Sequence, residues 1–286
     1  MNLYILLWYF CIYSFLGWVT EVAYHAVTRG NIVNRGFLNG PVCPVYGFGL
    51  CAVLLAIVRL THTDSTRLHA AIVFFGGMLL ASSVEFLAGW VLELLFHARW
   101  WDYSDQPFNL RGYICLKFSL LWGLATVFVV RIVHPAVQLG VSVLLPQRIG
   151  WPLLALLYLI YGVDLVLTVS TVRRLNRELR ELEGFRRRLR GFSDNMSEII
   201  GRQTLHTQQR LEEQQLQAAL ASAELRDSVE ELEQKLSAYR SRAEQLRRRL
   251  SSKHWGSGRL LRAFPRLHFY NCTELIDELR THLEEL

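Results

Sequence analysis

Residues 96–112 read FHARWWDYSDQPFNLRG and divide two long apolar runs, 69–96 and 113–134. A link between helices in a compact bundle is usually a handful of residues. This one holds two Trp, two Arg, two Asp, a His and a Tyr. Such a stretch either binds something or builds part of the fold. Which of these it does depends on what surrounds it.

The chain has 286 residues and two unlike halves. Residues 1–172 hold nine of the 31 Lys/Arg and seven of the 25 Asp/Glu in an apolar, aromatic background, and the rest of the charge follows residue 172. A membrane span needs roughly 20 mainly apolar residues. Five candidates meet that, at about 3–26, 44–61, 69–96, 113–134 and 151–172. The run VQLGVSVLL inside 135–150 is too short to span comfortably and suits the membrane interface. The N-terminus lacks a basic leader and a small-residue cleavage site, so it reads as a retained first span. The fold class expected is all-α: a five-helix transmembrane bundle with an irregular loop layer, followed by a long coiled-coil helix. The expected divisions are 1–172, 173–252 and 253–286.

Eight arginines between Arg173 and Arg190 follow the last span. By the positive-inside rule they place the tail in the cytoplasm, beside anionic headgroups, and five spans then leave the N-terminus outside. Loops 27–43 and 97–112 consequently face the same, cytoplasmic side and can meet. The excess of six positive charges is explained by this orientation and points to no nucleic acid. The five cysteines form no CxxC and no zinc spacing, and read as packed or free thiols.

Four carboxylates fall within the spans: Glu21, Glu85, Glu93 and Asp164. Each costs about 2.5–3.5 kcal/mol at a helix centre by insertion scales. Glu21, Glu85 and Glu93 are candidates for a polar pocket open to the cytoplasm, with Arg35, Arg99, Arg111 and Lys117 as counter-charges. The alternative is that they only pin the bundle. Asp164, with nothing near it in sequence to answer it, reads as structural or interfacial. Asn34, Arg35 and Asn39 lie among Gly36, Gly40, Pro41 and Pro44, which specify bent, non-helical backbone. Trp100, Trp101 and Tyr103 suit an aromatic belt at headgroup level, while Asp102 can cap a turn or anchor Arg35. The expected ion pairs are Asp102 with Arg35, and Glu85 or Glu93 with Arg111.

Taken together, FLGWVTEV (15–22), VNRGFLNGPVCPVYGFG (33–49), the stretch 82–116 and His134-Pro135 resemble the family called Putative ABC-transporter type IV. RLLRAFPRLHFYNCTELIDEL (259–279) is similar to the tails of longer members. The resemblance implies an integral membrane protein with a motif-rich cytoplasmic face, and it carries over no catalytic residue. The chain has no phosphate loop of its own, so a transport role implies a separate ATPase subunit. No cofactor and no metal site is expected, and no catalytic motif marks an enzyme.

In the tail, apolar positions recur at alternating spacings of three and four from Leu182 to Ile199 and from Leu225 to Leu250. That is a heptad seam, expected to form one long helix over 175–250 and a homodimer through it. HWGSG (254–258) breaks it, and Thr273 can cap a closing helix. Two functions fit: a permease-like transport component with a cytoplasm-facing polar pocket, or a membrane-anchored scaffold or sensor presenting a dimeric coiled coil.

Overall fold

The structure, a computed structural model, describes residues 2–61, 69–206, 214–250, 256–270 and 272. It is mostly helical. In chain order come α1 (Leu3–Arg29), α2 (Pro44–Thr61), α3 (Ala70–Phe96), α4 (Leu116–Phe128), α5 (His134–Leu144), α6 (Gln147–His206), α7 (Gln214–Leu250) and α8 (Gly256–Ala263). Among the described residues, four stretches are long and apolar enough to cross a membrane: Leu3–Arg29, Ala70–Phe96, Leu116–Leu144 and Gln147–Arg188. The second expected span is α2, whose apolar part Pro44–Ala56 is shorter than those four.

The run over 135–144 corrects one expectation, because it continues α4 rather than standing apart. The two are joined by a π-helical segment, Val129–Val133. Pro135 explains it. Its ring carries no N–H for the carbonyl four residues back, at Arg131, and crowds that carbonyl, so the helix widens locally instead of breaking.

The chain divides into two compact units, the first Met1–Arg173 with Ser252–Tyr270, the second Arg174–Ser251 with Asn271–Leu286. Residues 256–270 thus belong with the membrane helices and not with the tail.

In the first unit the core gathers Tyr4, Trp8, Tyr9 and Tyr13 of α1 against Val53, Leu54, Val73, Val130 and Leu154. The Tyr13 hydroxyl meets His134 Nδ1 at 2.8 Å. The opposite faces carry exposed Leu79, Leu87, Leu94, Leu120, Leu124, Phe128, Leu156 and Val166. So much exposed aliphatic surface suits lipid and not water.

Loops at one end of these helices form a layer. α1 ends at Gly30, whose φ of 74° closes the last turn onto the Ala26 carbonyl. The chain from 31 to 43 is irregular. Beyond α3, β1 (Ala98–Arg99) pairs antiparallel with β4 (His268–Phe269), and β2 (Asn109–Leu110) with β3 (Ile114–Cys115).

In the second unit the expected single helix over 175–250 gives way to two. α7 runs back along the tail part of α6, with Arg249 paired to Glu178, Arg242 to Glu181 at 3.8 Å, and Arg242 over the Phe185 ring. Leu175, Leu179, Leu182, Leu246 and Leu250 are buried. Two seam-bearing halves of one chain can meet with no loss of translational freedom. The proposed cap at Thr273 and its closing helix lie outside the described residues.

Candidate functional site

The polar side chains of the first unit collect into three groups, each tying a helix to the loop layer.

The first is built on Glu85, 7% exposed within α3. Its carboxylate accepts the Trp122 indole N–H at 2.8 Å and the Tyr103 hydroxyl at 3.3 Å. Trp122 stands edge-on to Tyr46 at 5.3 Å between centroids, and the Tyr46 hydroxyl donates to Glu21 at 2.6 Å. Arg35 lies 3.7 Å from Glu21. Gly17, one turn before Glu21, is what allows this approach, because a Cβ there would collide with the Tyr46 ring. Tyr103 stacks on Phe118 at 4.8 Å. Burial and the neighbouring Glu85 push its phenol well above the usual value, so it stays protonated at neutral pH and is able to donate.

The second group centres on Arg99, 3.1 Å from Glu93 and 3.4 Å from Asp102, and set over the Tyr113 ring. Burial alone would pull the guanidinium down, but its bond to Glu93 outweighs that and holds it above the ordinary value. Burial likewise favours raising Asp102, yet the Ser104 hydroxyl and N–H, then Arg99, keep its carboxyl below the usual range. The Tyr270 hydroxyl donates to Glu93 at 2.6 Å, and burial followed by that bond pushes the phenol up to about 12. Gly112 has a φ of 74° beside the Asp102 carboxylate, where any Cβ would clash.

The third group grips the first loop. Asp164 accepts the Asn39 side-chain amide at 2.9 Å and the backbone N–H groups of Asn39 and Gly40 at 3.1 and 2.7 Å. Asn34 takes the Trp18 indole N–H at 2.8 Å and donates to the Asn39 carbonyl at 2.7 Å. Arg259 of α8, only 1% exposed, donates to the carbonyls of Asn34, Gly36 and Phe37 at 3.2, 2.8 and 3.1 Å. Burial pulls it down to about 10, so it remains charged at neutral pH.

The residues singled out in sequence are therefore gathered, but through other partners. Asp102 pairs with Arg99 and not with Arg35, which takes Glu21. Neither Glu85 nor Glu93 pairs with Arg111; that residue is exposed at a φ of 53°. Lys117 is exposed and lies over the Phe118 ring. Trp101 donates to the Tyr113 carbonyl at 2.9 Å. Trp100 is no belt residue, being 3% exposed and packed on Phe37, Phe96 and Phe264. The loops do meet, across the Phe37–Trp100 contact at 5.1 Å and not across an ion pair. Tyr46, Trp122, Arg259 and Tyr270 were not foreseen. Asp164 was, but its partners lie 124 and 125 residues away. All five cysteines are free and buried, and no cluster of metal-ligating side chains forms among the described residues.

The family model described as Putative ABC-transporter type IV matches residues 8–169. No curated protein and no solved structure gives a match. The matched stretch holds α1 from residue 8 on, α2 to α5, the start of α6 and both loops of the polar layer, and the chain belongs to the Putative ABC-transporter type IV family.

Proposed function

We propose that the chain is the membrane component of a transport system, with five spans, its N-terminus outside, and the loop layer and tail in the cytoplasm. Glu85 is the group that takes up a proton or the cationic part of a polar solute, and a separate ATPase subunit supplies the energy. The observation that supports this reading most is the company Glu85 keeps. It is buried in α3, and among the described residues no cation pairs with it. Ionisable side chains within spans are rare and commonly mark substrate, ion or proton pathways. Here the donors are neutral, and one is a hydroxyl. Tyr103 can donate to the ionised acid and accept from the protonated one, so both states of Glu85 keep a partner.

Crosslinking in membranes followed by co-purification tests the reading. Recovery of an ATPase whose turnover rises with this chain, and falls back with Glu85→Gln, supports it. Recovery of cytoplasmic proteins alone, through the charged tail, would favour the scaffold instead. A Glu85→Gln protein that folds and stimulates normally would leave Glu85 a structural role only.

A further inference from the structure

The chain leaves the first unit after Arg173 and re-enters it for Ser252–Tyr270. What returns is short, with eight residues in α8 and two in β4. Yet it engages both loops. Arg259 reaches the carbonyls of 34, 36 and 37. Phe264 stands edge-on to Trp100 at 5.0 Å, and β4 adds a strand to β1. Arg266 donates to the Asp102 carbonyl at 2.7 Å, and Tyr270 to Glu93. We propose that the two loops form a docking site for a basic, aromatic peptide, that residues 256–270 occupy it in cis as a releasable latch, and that Arg259 is its pin.

Release is built into the contacts. A two-turn helix and a two-residue strand pair have little stability of their own, so the packing of buried Leu260, Leu261, Ala263, Leu267 and Phe269 is what holds the segment in place. Opening it forfeits that packing but unfolds no span, and so costs less than global unfolding. The pin is also expensive. Among the described residues no carboxylate lies within ion-pair distance of Arg259, and its Nε finds no acceptor. The Asp164 carboxylate favours its charge without pairing with it, yet a guanidinium buried this deeply still forfeits hydration that it regains on leaving. Its departure has a defined consequence. The carbonyls of 34, 36 and 37 lose their donors, and the stretch whose next residues, Asn39 and Gly40, hold Asp164 is freed at one side. The latch thus links the point where the chain returns from the tail to a carboxylate in α6. None of this depends on what, if anything, the protein transports.

Hydrogen exchange of the full-length protein in lipid nanodiscs tests it. The amides of 256–270 and the bonded amides of 39–43 should exchange in step, at least tenfold faster than those of α3. Arg259→Ala should speed both by a further tenfold or more and leave α3 unchanged, with Arg259→Lys between. Phe264→Ala, which removes only the ring on Trp100, should act in the same direction and serves if Arg259→Ala does not fold. A latch as protected as α3 in the unaltered protein would overturn the proposal. So would a loop whose exchange ignores release of 256–270.

Discussion

Asp164 and Arg259 hold one stretch of backbone by its two polarities. The carboxylate takes the N–H groups of Asn39 and Gly40, and the guanidinium takes the C=O groups of Asn34, Gly36 and Phe37. A bent segment without helical or strand hydrogen bonds leaves its own donors and acceptors open, and inside a membrane protein each must be met. The two charges meet them without touching each other, which is why neither looks paired in the sequence.

Removing the acid should therefore be felt as lost backbone bonds. Asp164→Ala strands two half-buried N–H groups, each costing at most about 1–3 kcal/mol. Asp164→Asn keeps one accepting oxygen and should lose less. Thermal unfolding in detergent should rank the unaltered protein first, then Asn, then Ala. Equal midpoints for all three would mean the loop finds other acceptors.

Gly17 tests the packing beneath Glu21. A Cβ at this position meets the Tyr46 ring, so Gly17→Val must push α2 away or turn Tyr46 from Glu21. Overpacking of this kind costs about 1–3 kcal/mol. Because Gly17 and Tyr46 are in contact, the Gly17→Val and Tyr46→Ala losses should not add in the double variant. Additive losses would separate the two sites.

How much of this was legible is uneven, for physical reasons. The helices were, since apolar length marks a membrane helix whatever it packs against, and α1, α2 and α3 begin within a residue of where hydropathy puts them. The loops' meeting was also legible, because both follow or precede spans at the same end. The pairings were not. Glu21, Glu93 and Asp102 each had several arginines in reach, and proximity along the chain decided for Arg99 with Asp102, three residues apart. Glu85 was answered by an indole and a phenol, which no charge pattern marks. Arg259 was invisible because backbone carbonyls have no residue type and these lie more than 220 positions away. In the tail, a heptad seam specifies that something covers it but not whether that is another chain or its own.

That last choice can be read directly. Glu178→Cys with Arg249→Cys puts one thiol on each of two helix positions whose side chains meet in one chain. A short bis-maleimide, which spans the longer gap between the two thiols, should link them within the monomer, seen as faster migration on a denaturing gel, since a partner on the same chain is present at millimolar effective concentration. A product of twice the mass would mean that the seam pairs between chains and would restore the parallel or antiparallel dimer as the tail's state.

The pH dependence of the second loop follows from Asp102. Its carboxyl is held below the usual value in the folded chain, despite burial, by Ser104 and then Arg99. An unfolded aspartate titrates near pH ~3.9. Above that, both forms are ionised and the stabilisation is fully present. As pH falls below it, the unfolded chain takes up the proton first, and the stabilisation drains away until pH passes the lower folded value. The loss therefore lies on the acid side of about pH 4 and not near neutrality. Asp102→Asn cannot titrate, and it should start less stable at neutral pH. Its unfolding midpoint should fall less between about pH 4 and 2 than that of the unaltered protein. Only a difference between the two profiles is informative, because other carboxylates titrate in both. Parallel profiles would show that Ser104 and Arg99 give Asp102 no preference for its ionised form.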